Sequence, residues 1–266
     1  MKFFKYQACG NDYVYIDCFK QIVENPEDLA QKISNRNFGV GSDGLILILP
    51  SKIADAKMRI FNSDGSEAKM CGNGIRCVGK YLSDEKENLK GKNILKIETL
   101  SGVKNLEILE KSEKMSKIRV DMGAPKLINY LSIDFLKNVT DKRIAYVSVG
   151  NPHCVVFCKE INPLDVNALG SRIQNLDEFE DGVNVEFVKV NSRNNIDIRI
   201  FERGSGETLA CGTGACASVF ASILENICDV KVNVNLRGGN LLIEYMDGNV
   251  YMTGESIKVF EGEYYI

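Results

Sequence analysis

The stretch RIFNSDGSEAKMCGNG, Arg59 to Gly74, is written a second time as RIFERGSGETLACGTG, Arg199 to Gly214. Seven of the sixteen positions are identical without a gap, at a constant offset of 140, and they pair Cys71 with Cys211. The same offset lays Gly10-Asn11 on Gly150-Asn151, and an offset of 138 lays DGLILI from Asp43 on DGVNVEF from Asp181. Three landmarks recur in one order, with a period far too long for a solenoid or propeller repeat, so the chain reads as a duplicated domain. The expected fold class is α/β, with two structurally similar lobes related by a pseudo-two-fold axis. The lobes are expected over residues 1–118 and 119–256.

The segments between the landmarks support that organisation. YVYID, LILILP, KMRIF, ILKIETL and SKIRVDM in the first half read as short strands bounded by turn residues, as do AYVSV, CVVFC, VNVEFVKV, NIDIRIF, VKVNVNL and LLIEYM in the second. GIRCVGKYLSDE and GACASVFASILEN instead carry apolar and small residues at helical spacing. Each lobe is thus expected to be a curved, mostly antiparallel sheet around one central helix that starts at Cys-Gly-x-Gly. DLAQKISNRN reads as an outer amphipathic helix, and SDEKENLKGKN as a charged, solvated turn.

Composition limits the setting. A chain of 266 residues that is 44% hydrophobic can bury a sizeable core. A net charge of -3 argues against nucleic acid and anionic membranes as partners. No apolar run has the length of a membrane span, and the N-terminus lacks the apolar core of a signal peptide, so a cytoplasmic setting is expected. Nine cysteines form an odd set, which in a long chain without an export signal implies reduced thiols. Zinc fits poorly, because His153 is the only histidine and no C-x-x-C pair occurs. No metal is expected. Free cysteine is among the most buried residue types, so Cys9, Cys18, Cys154, Cys158 and Cys228 are expected as core filler, and Cys77 and Cys216 as helix-face filler.

Cys71 and Cys211 differ because each precedes a helix start. The first backbone N–H groups of a helix lack internal partners, and the macrodipole places partial positive charge there. Gly72-Asn73-Gly74 and Gly212-Thr213-Gly214 can therefore cradle a carboxylate, and a cysteine at that position has its thiolate stabilised. Two such sulfurs on one carboxylate suit removal of a proton from the adjacent carbon and its return on the opposite face. Asn11, Asn62, Asn151 and Asn184 lie at turns or strand ends beside the repeats, and their amides offer donor and acceptor to an amino acid. Glu202 and Arg203 offer an ammonium partner and a bidentate carboxylate partner. Each has a plainer role available, as turn former or solvated pair, and the clustering around a repeat favours the functional one.

ACGNDYVYID, FNSDGSEAKMCGNGIRC, VGNPHCV, DGVNVEFV and ERGSGETLACGTGA together resemble the diaminopimelate epimerase family, over the whole chain. The resemblance implies cofactor-independent interconversion of LL- and meso-2,6-diaminopimelate, in lysine and peptidoglycan-precursor synthesis. It implies that Cys71 and Cys211 are thiolate base and thiol acid, exchanging roles with direction. It implies that Asn11, Asn62, Asn151, Asn184, Glu202 and Arg203 hold the substrate, and that Gly72, Asn73, Gly212 and Thr213 supply backbone donors to its reacting end. His153, within the family motif, is expected with Glu202 to tune the thiols. A homodimer follows from the same resemblance, with Phe260 where several members have a tyrosine at the dimer contact, and a last strand over about 257–266 rejoins the first lobe. At Gly44, where some members have glutamine, no side-chain contact is carried over. Two other readings compete: the proline and hydroxyproline racemases, which place histidine where this chain has Asn73, and a redox-sensing amino-acid-binding protein that uses the two cysteines as a reversible disulfide.

Overall fold

A computed structural model describes residues 1–265. The chain divides into two compact units, Met1–Val120 with Gly254–Ile266, and Asp121–Thr253. Position 266, the end of the expected rejoining strand, lies outside the described residues.

The first unit contains β1 (Lys2–Ala8), β2 (Asn11–Asp17), α1 (Pro26–Ser34), β3 (Gly44–Leu49), β4 (Ala56–Asn62), β5 (Glu67–Ala68), α2 (Gly72–Glu85), β6 (Ile94–Thr99) and β7 (Gly102–Lys111). The chain leaves it through β8 (Met115–Gly123). The second contains β9 (Lys126–Leu131), β10 (Ile144–Ser148), β11 (Pro152–Phe157), α3 (Val166–Gln174), β12 (Asn184–Ser192), β13 (Asn195–Glu202), β14 (Gly206–Thr208), α4 (Gly212–Leu224), β15 (Lys231–Leu236) and β16 (Gly239–Met246). The chain returns through β17 (Asn249–Glu263). This is a mixed α/β fold made mostly of strands, with four α-helices among the described residues.

The pairings repeat along with the order. In the first unit β2 and β3 are parallel, β3 and β4 antiparallel, and β4 and β6 parallel. In the second, β11 and β12 are parallel, β12 and β13 antiparallel, and β13 and β15 parallel. The register of the first pair places Tyr13 opposite Gly44, and its counterpart places His153 opposite Asn184. The structural offset is therefore 140 here too, and the 138 suggested by the two Asp-Gly pairs belongs to the turn before β12, not to the strand. Gly44 itself has no room for a side chain: a Cβ there would meet the Phe61 carbonyl oxygen at 2.2 Å and Tyr13 at 2.8 Å.

Sequence logic explains the helices. At α1, Asn25 caps the Asp28 N–H, Pro26 takes the first turn and Lys32 the last. At α3, Asp165 caps the Ala168 N–H. α4 is buried along nearly its whole length by alanine, serine, valine and cysteine. α2 is equally buried yet carries Arg76 and Lys80, which the apolar pattern does not prepare for. Arg76 donates to the Gly72 carbonyl and to Asn73, and Lys80 reaches Asp84 and the Ser112 and Glu113 carbonyls, so neither charge is stranded. The expected solvated turn after α2 holds a short 3-10 segment, Glu87–Leu89, because Leu89 is buried.

Cys77, Cys154, Cys158, Cys211, Cys216 and Cys228 are buried, but Cys9 and Cys18 are only half-buried. Cys9 is not core filler. It adopts φ 53° in the turn between β1 and β2, and Arg76 donates to its sulfur.

The far end of α2 is tied to β2 by Lys86, which donates to both oxygens of Asp17 at 3.0 and 2.9 Å. Both side chains are buried. Lys86→Met leaves Asp17 without that partner and is expected to cost about 3–5 kcal/mol in urea unfolding. A loss below about 1 kcal/mol would show that the pair does not hold the helix.

Candidate active site

Each unit builds one half of the expected residue set, beginning with a helix whose N-cap is a cysteine. At α2 the Cys71 sulfur accepts the Gly74 N–H at 3.3 Å. At α4 the Cys211 sulfur accepts the Gly214 N–H at 3.4 Å. Both cysteines have extended backbone, with φ -136° and -126°, as an N-cap requires. The third residue of each motif must be glycine for packing reasons. A Cβ on Gly74 would meet Ile46 at 2.7 Å, and one on Gly214 would meet a Glu186 oxygen at 2.6 Å. Gly72 and Gly212 begin the helices, so their N–H groups and those of Asn73 and Thr213 belong to the first turn, where no intrahelical acceptor exists.

In the first unit the turn at Cys9-Gly10 delivers Asn11 to the start of β2. Asn11 donates from Nδ2 to Asp43 at 2.8 Å, and its Oδ1 accepts the Cys71 S–H at 3.4 Å. Asp43 also accepts the Asp12 N–H at 3.0 Å and Arg36 at 2.9 Å. This carboxylate therefore fixes which end of the Asn11 amide faces the thiol. Asn62, at the end of β4, donates to Ser66 at 3.0 Å. The Asn73 side chain turns back to Arg76, at 2.9 Å.

In the second unit Cys211 also lies 3.3 Å from the Thr213 hydroxyl. Burial pushes its thiol well above the ordinary cysteine range, and the negative charges of Glu202 and Glu186 push the same way. The hydrogen bonds from Thr213 and Gly214 oppose this and do not outweigh it. Glu202 is itself raised by burial, against the pull of the Thr208 hydroxyl at 2.5 Å. The helix start alone favours a thiolate, but burial first, and then the neighbouring carboxylates, push the Cys211 thiol the other way.

The remaining expected residues divide by role. Asn184 spends its amide on local backbone, accepting the Arg203 N–H at 3.0 Å and donating to the Pro152 carbonyl at 3.2 Å. The Arg203 guanidinium donates to the Asp181 carbonyl at 2.6 Å and borders a cleft of about 620 Å³. His153 places Nδ1 2.7 Å from Glu186 and Nε2 3.0 Å from Asn151 Oδ1, and its charge acts on Glu202, which in turn acts on Cys211. Sequence reasoning missed Asp43 and Glu186. The signal for Glu186 was a charge between the apolar residues Val185 and Phe187 of β12, at the position 140 after Ile46. Among the described residues no group of side chains could hold a metal ion, and no helix is long and apolar enough to cross a membrane.

Comparison with known proteins gives a consistent result. The family profile described as diaminopimelate epimerase matches residues 3–128 and 145–259. A diaminopimelate epimerase of Acetivibrio thermocellus is 46% identical, over 99% of this chain and 98% of its own. One from Methanococcus maripaludis is 46% identical over 99% of both. Among solved structures, a phenazine biosynthesis protein of the PhzF family from Bacillus anthracis superposes with a TM-score of 0.74 at 20% identity, covering 100% of this chain and 99% of its own. That likeness is one of fold.

The environment of Cys211 sets its reactivity. Alkylation by iodoacetamide, followed on the Cys211 peptide by mass spectrometry, is expected to accelerate only at higher pH than for an ordinary cysteine, whose thiol titrates at about 8.5. Glu202→Gln removes one of the charges that raise this thiol, so the profile is expected to move to lower pH. A half-maximal rate at or below about pH 8.5 in the parent would contradict the assignment.

Proposed function

The chain belongs to the diaminopimelate epimerase family, so its reaction is epimerisation of diaminopimelate, and we propose that Cys71 and Cys211 are the acid and base that perform it. The observation that carries this reading is the matched capping of the two sulfurs, each by the N–H of the glycine three residues on.

Inversion at a carbon needs one group to remove the α-proton and a second to deliver a proton to the other face. Cys211, held as a thiol by burial and its carboxylate neighbours, is the donor in one direction. Cys71 is then the base. Its thiolate would keep the Gly74 N–H as a charge-assisted hydrogen bond, while in the other state of the cycle the thiol donates a hydrogen bond to Asn11 Oδ1. An ordinary thiol is only a few per cent ionised at pH 7, so this capping matters to the rate. Loss of the α-proton moves negative charge onto the carboxylate, and the first-turn N–H groups of Gly72, Asn73, Gly212 and Thr213 are donors of the kind that stabilise it. Asn11, Asn62, Asn151, Asn184, Glu202 and Arg203 read the remaining ammonium and carboxylate groups.

Two lobes of like build, a cytoplasmic setting and a homodimer belong to the same reading. Phe260, the expected dimer contact, is 46% exposed and packs edge-on against Phe3 at 5.8 Å.

Cys71→Ala and Cys211→Ala are each expected to fold, by circular dichroism, and to lose at least about a hundredfold in epimerisation of LL-diaminopimelate. L-Proline offered alongside should show no α-proton exchange. Turnover within about tenfold of the parent in either variant would remove that cysteine from the chemistry.

A further inference from the structure

Glu186 is wholly buried, yet one of its oxygens, Oε2, has no hydrogen-bond partner among the described residues. Such a group is costly to retain. Packing does not require it, because the duplicated half supplies the control. The equivalent position in β3 is Ile46, which lies against the start of α2 at Gly74 just as Glu186 lies against the start of α4 at Gly214. His153 likewise answers to Tyr13, and the registers agree, with Tyr15 opposite Ile46 and Val155 opposite Glu186. One backbone thus accepts an apolar residue in one half and a carboxylate with an imidazole in the other.

The distances show what the polar pair does. The Asn151 amide is placed with Oδ1, an acceptor, 3.0 Å from His153 Nε2, an arrangement that calls for a proton on Nε2. Nδ1 and Glu186 Oε1, 2.7 Å apart, can lie so close only with a proton between them. Glu186 and His153 together therefore hold two protons and no net charge, which balances the buried carboxylate. The outcome at Asn151 is a fixed amide: its carbonyl is taken by the histidine, and its NH2 group remains for a ligand. The equivalent asparagine has the opposite polarity, since Asp43 takes the Asn11 NH2 group and leaves the carbonyl to Cys71.

We propose that Glu186 is a positioning residue which, by holding His153 Nδ1, keeps Nε2 protonated and thereby presents the Asn151 NH2 group as a donor to a carboxylate of the substrate. This rests on the reading of Asn151 as a substrate contact given above. The role differs from thiol tuning, since the relay ends on an amide and acts on binding.

Two measurements test it. His153 is the sole histidine, so long-range proton–nitrogen NMR of the 15N-labelled chain reports its ring without ambiguity. Nε2 is expected to bear a proton at the assay pH. The second measurement copies the other half in the double variant Glu186→Ile/His153→Tyr, which replaces the buried pair by residues this fold already packs and should melt cooperatively. Its KM for diaminopimelate is expected to rise at least about tenfold, the mark of a lost binding contact, whatever the loss of the Glu186 charge beside Cys211 does to kcat. A bare Nε2, or a double variant with the parent KM, overturns the proposal. If the parent itself failed to turn over diaminopimelate, the functional reading would fall, while the NMR result would still decide the proton on Nε2.

Discussion

The structure depends on a hydrogen bond from a backbone N–H to sulfur at the start of each inner helix. Helices usually begin with an oxygen acceptor from serine, threonine, aspartate or asparagine. Here the acceptor is cysteine, at 3.3 Å in one helix and 3.4 Å in the other. A neutral thiol is a weak acceptor and a thiolate a strong one, so the first turn of each helix and the protonation of its cap are linked. Much of the surrounding sequence serves this arrangement. The glycine at the third position admits the helix to the strand beneath it, and the small residues of α4 let that helix be buried along nearly its whole length.

A common backbone carries unequal electrostatics. Asn11 faces its thiol with a carbonyl because a carboxylate holds the other end of its amide. Asn151 is held by its carbonyl through the only histidine in the chain. Ile46 and Glu186 occupy one strand position in the two halves, and so do Tyr13 and His153. Glu202 and Glu186 raise the Cys211 thiol. Duplication explains the shared geometry, and divergence at a few inward positions explains why the two sulfurs have unlike surroundings.

The repeat was legible because its anchors, Cys-Gly-x-Gly and Gly-Asn, are dictated by turns and helix starts that tolerate few alternatives. The strands that alternate or run apolar, such as LILILP and NIDIRIF, were legible from period and flanking turns. β1, β5, β7, β9, β14 and α3 were not picked out, and the last strand entered only through the family resemblance, over about 257–266 where β17 runs from Asn249 to Glu263. β9 is exposed at four of its six positions and shows no clean apolar face, and α3 buries only Val166, Gly170 and Ile173. Buried charges were not anticipated: Glu186 meets His153 from another strand, Lys80 adds the Ser112 and Glu113 carbonyls to its i+4 partner Asp84, and Arg76 folds back on Gly72 and Asn73 within its own helix, where an apolar pattern gives no sign of a charge. The helix start suggested a lowered thiol at Cys211. The opposite direction needed the three-dimensional placement of two carboxylates.

The central claim is that two different groups handle the proton, and isotope bookkeeping in D2O tests it directly. LL-diaminopimelate is converted by the parent enzyme, and substrate and product are separated early in the reaction. Two-base chemistry predicts that the first meso product carries deuterium at the inverted α-carbon, because its proton comes from a thiol equilibrated with solvent, while the remaining substrate stays protiated. Meso product that retains the substrate's own proton would show that a single group both removes and returns it, and would contradict the account.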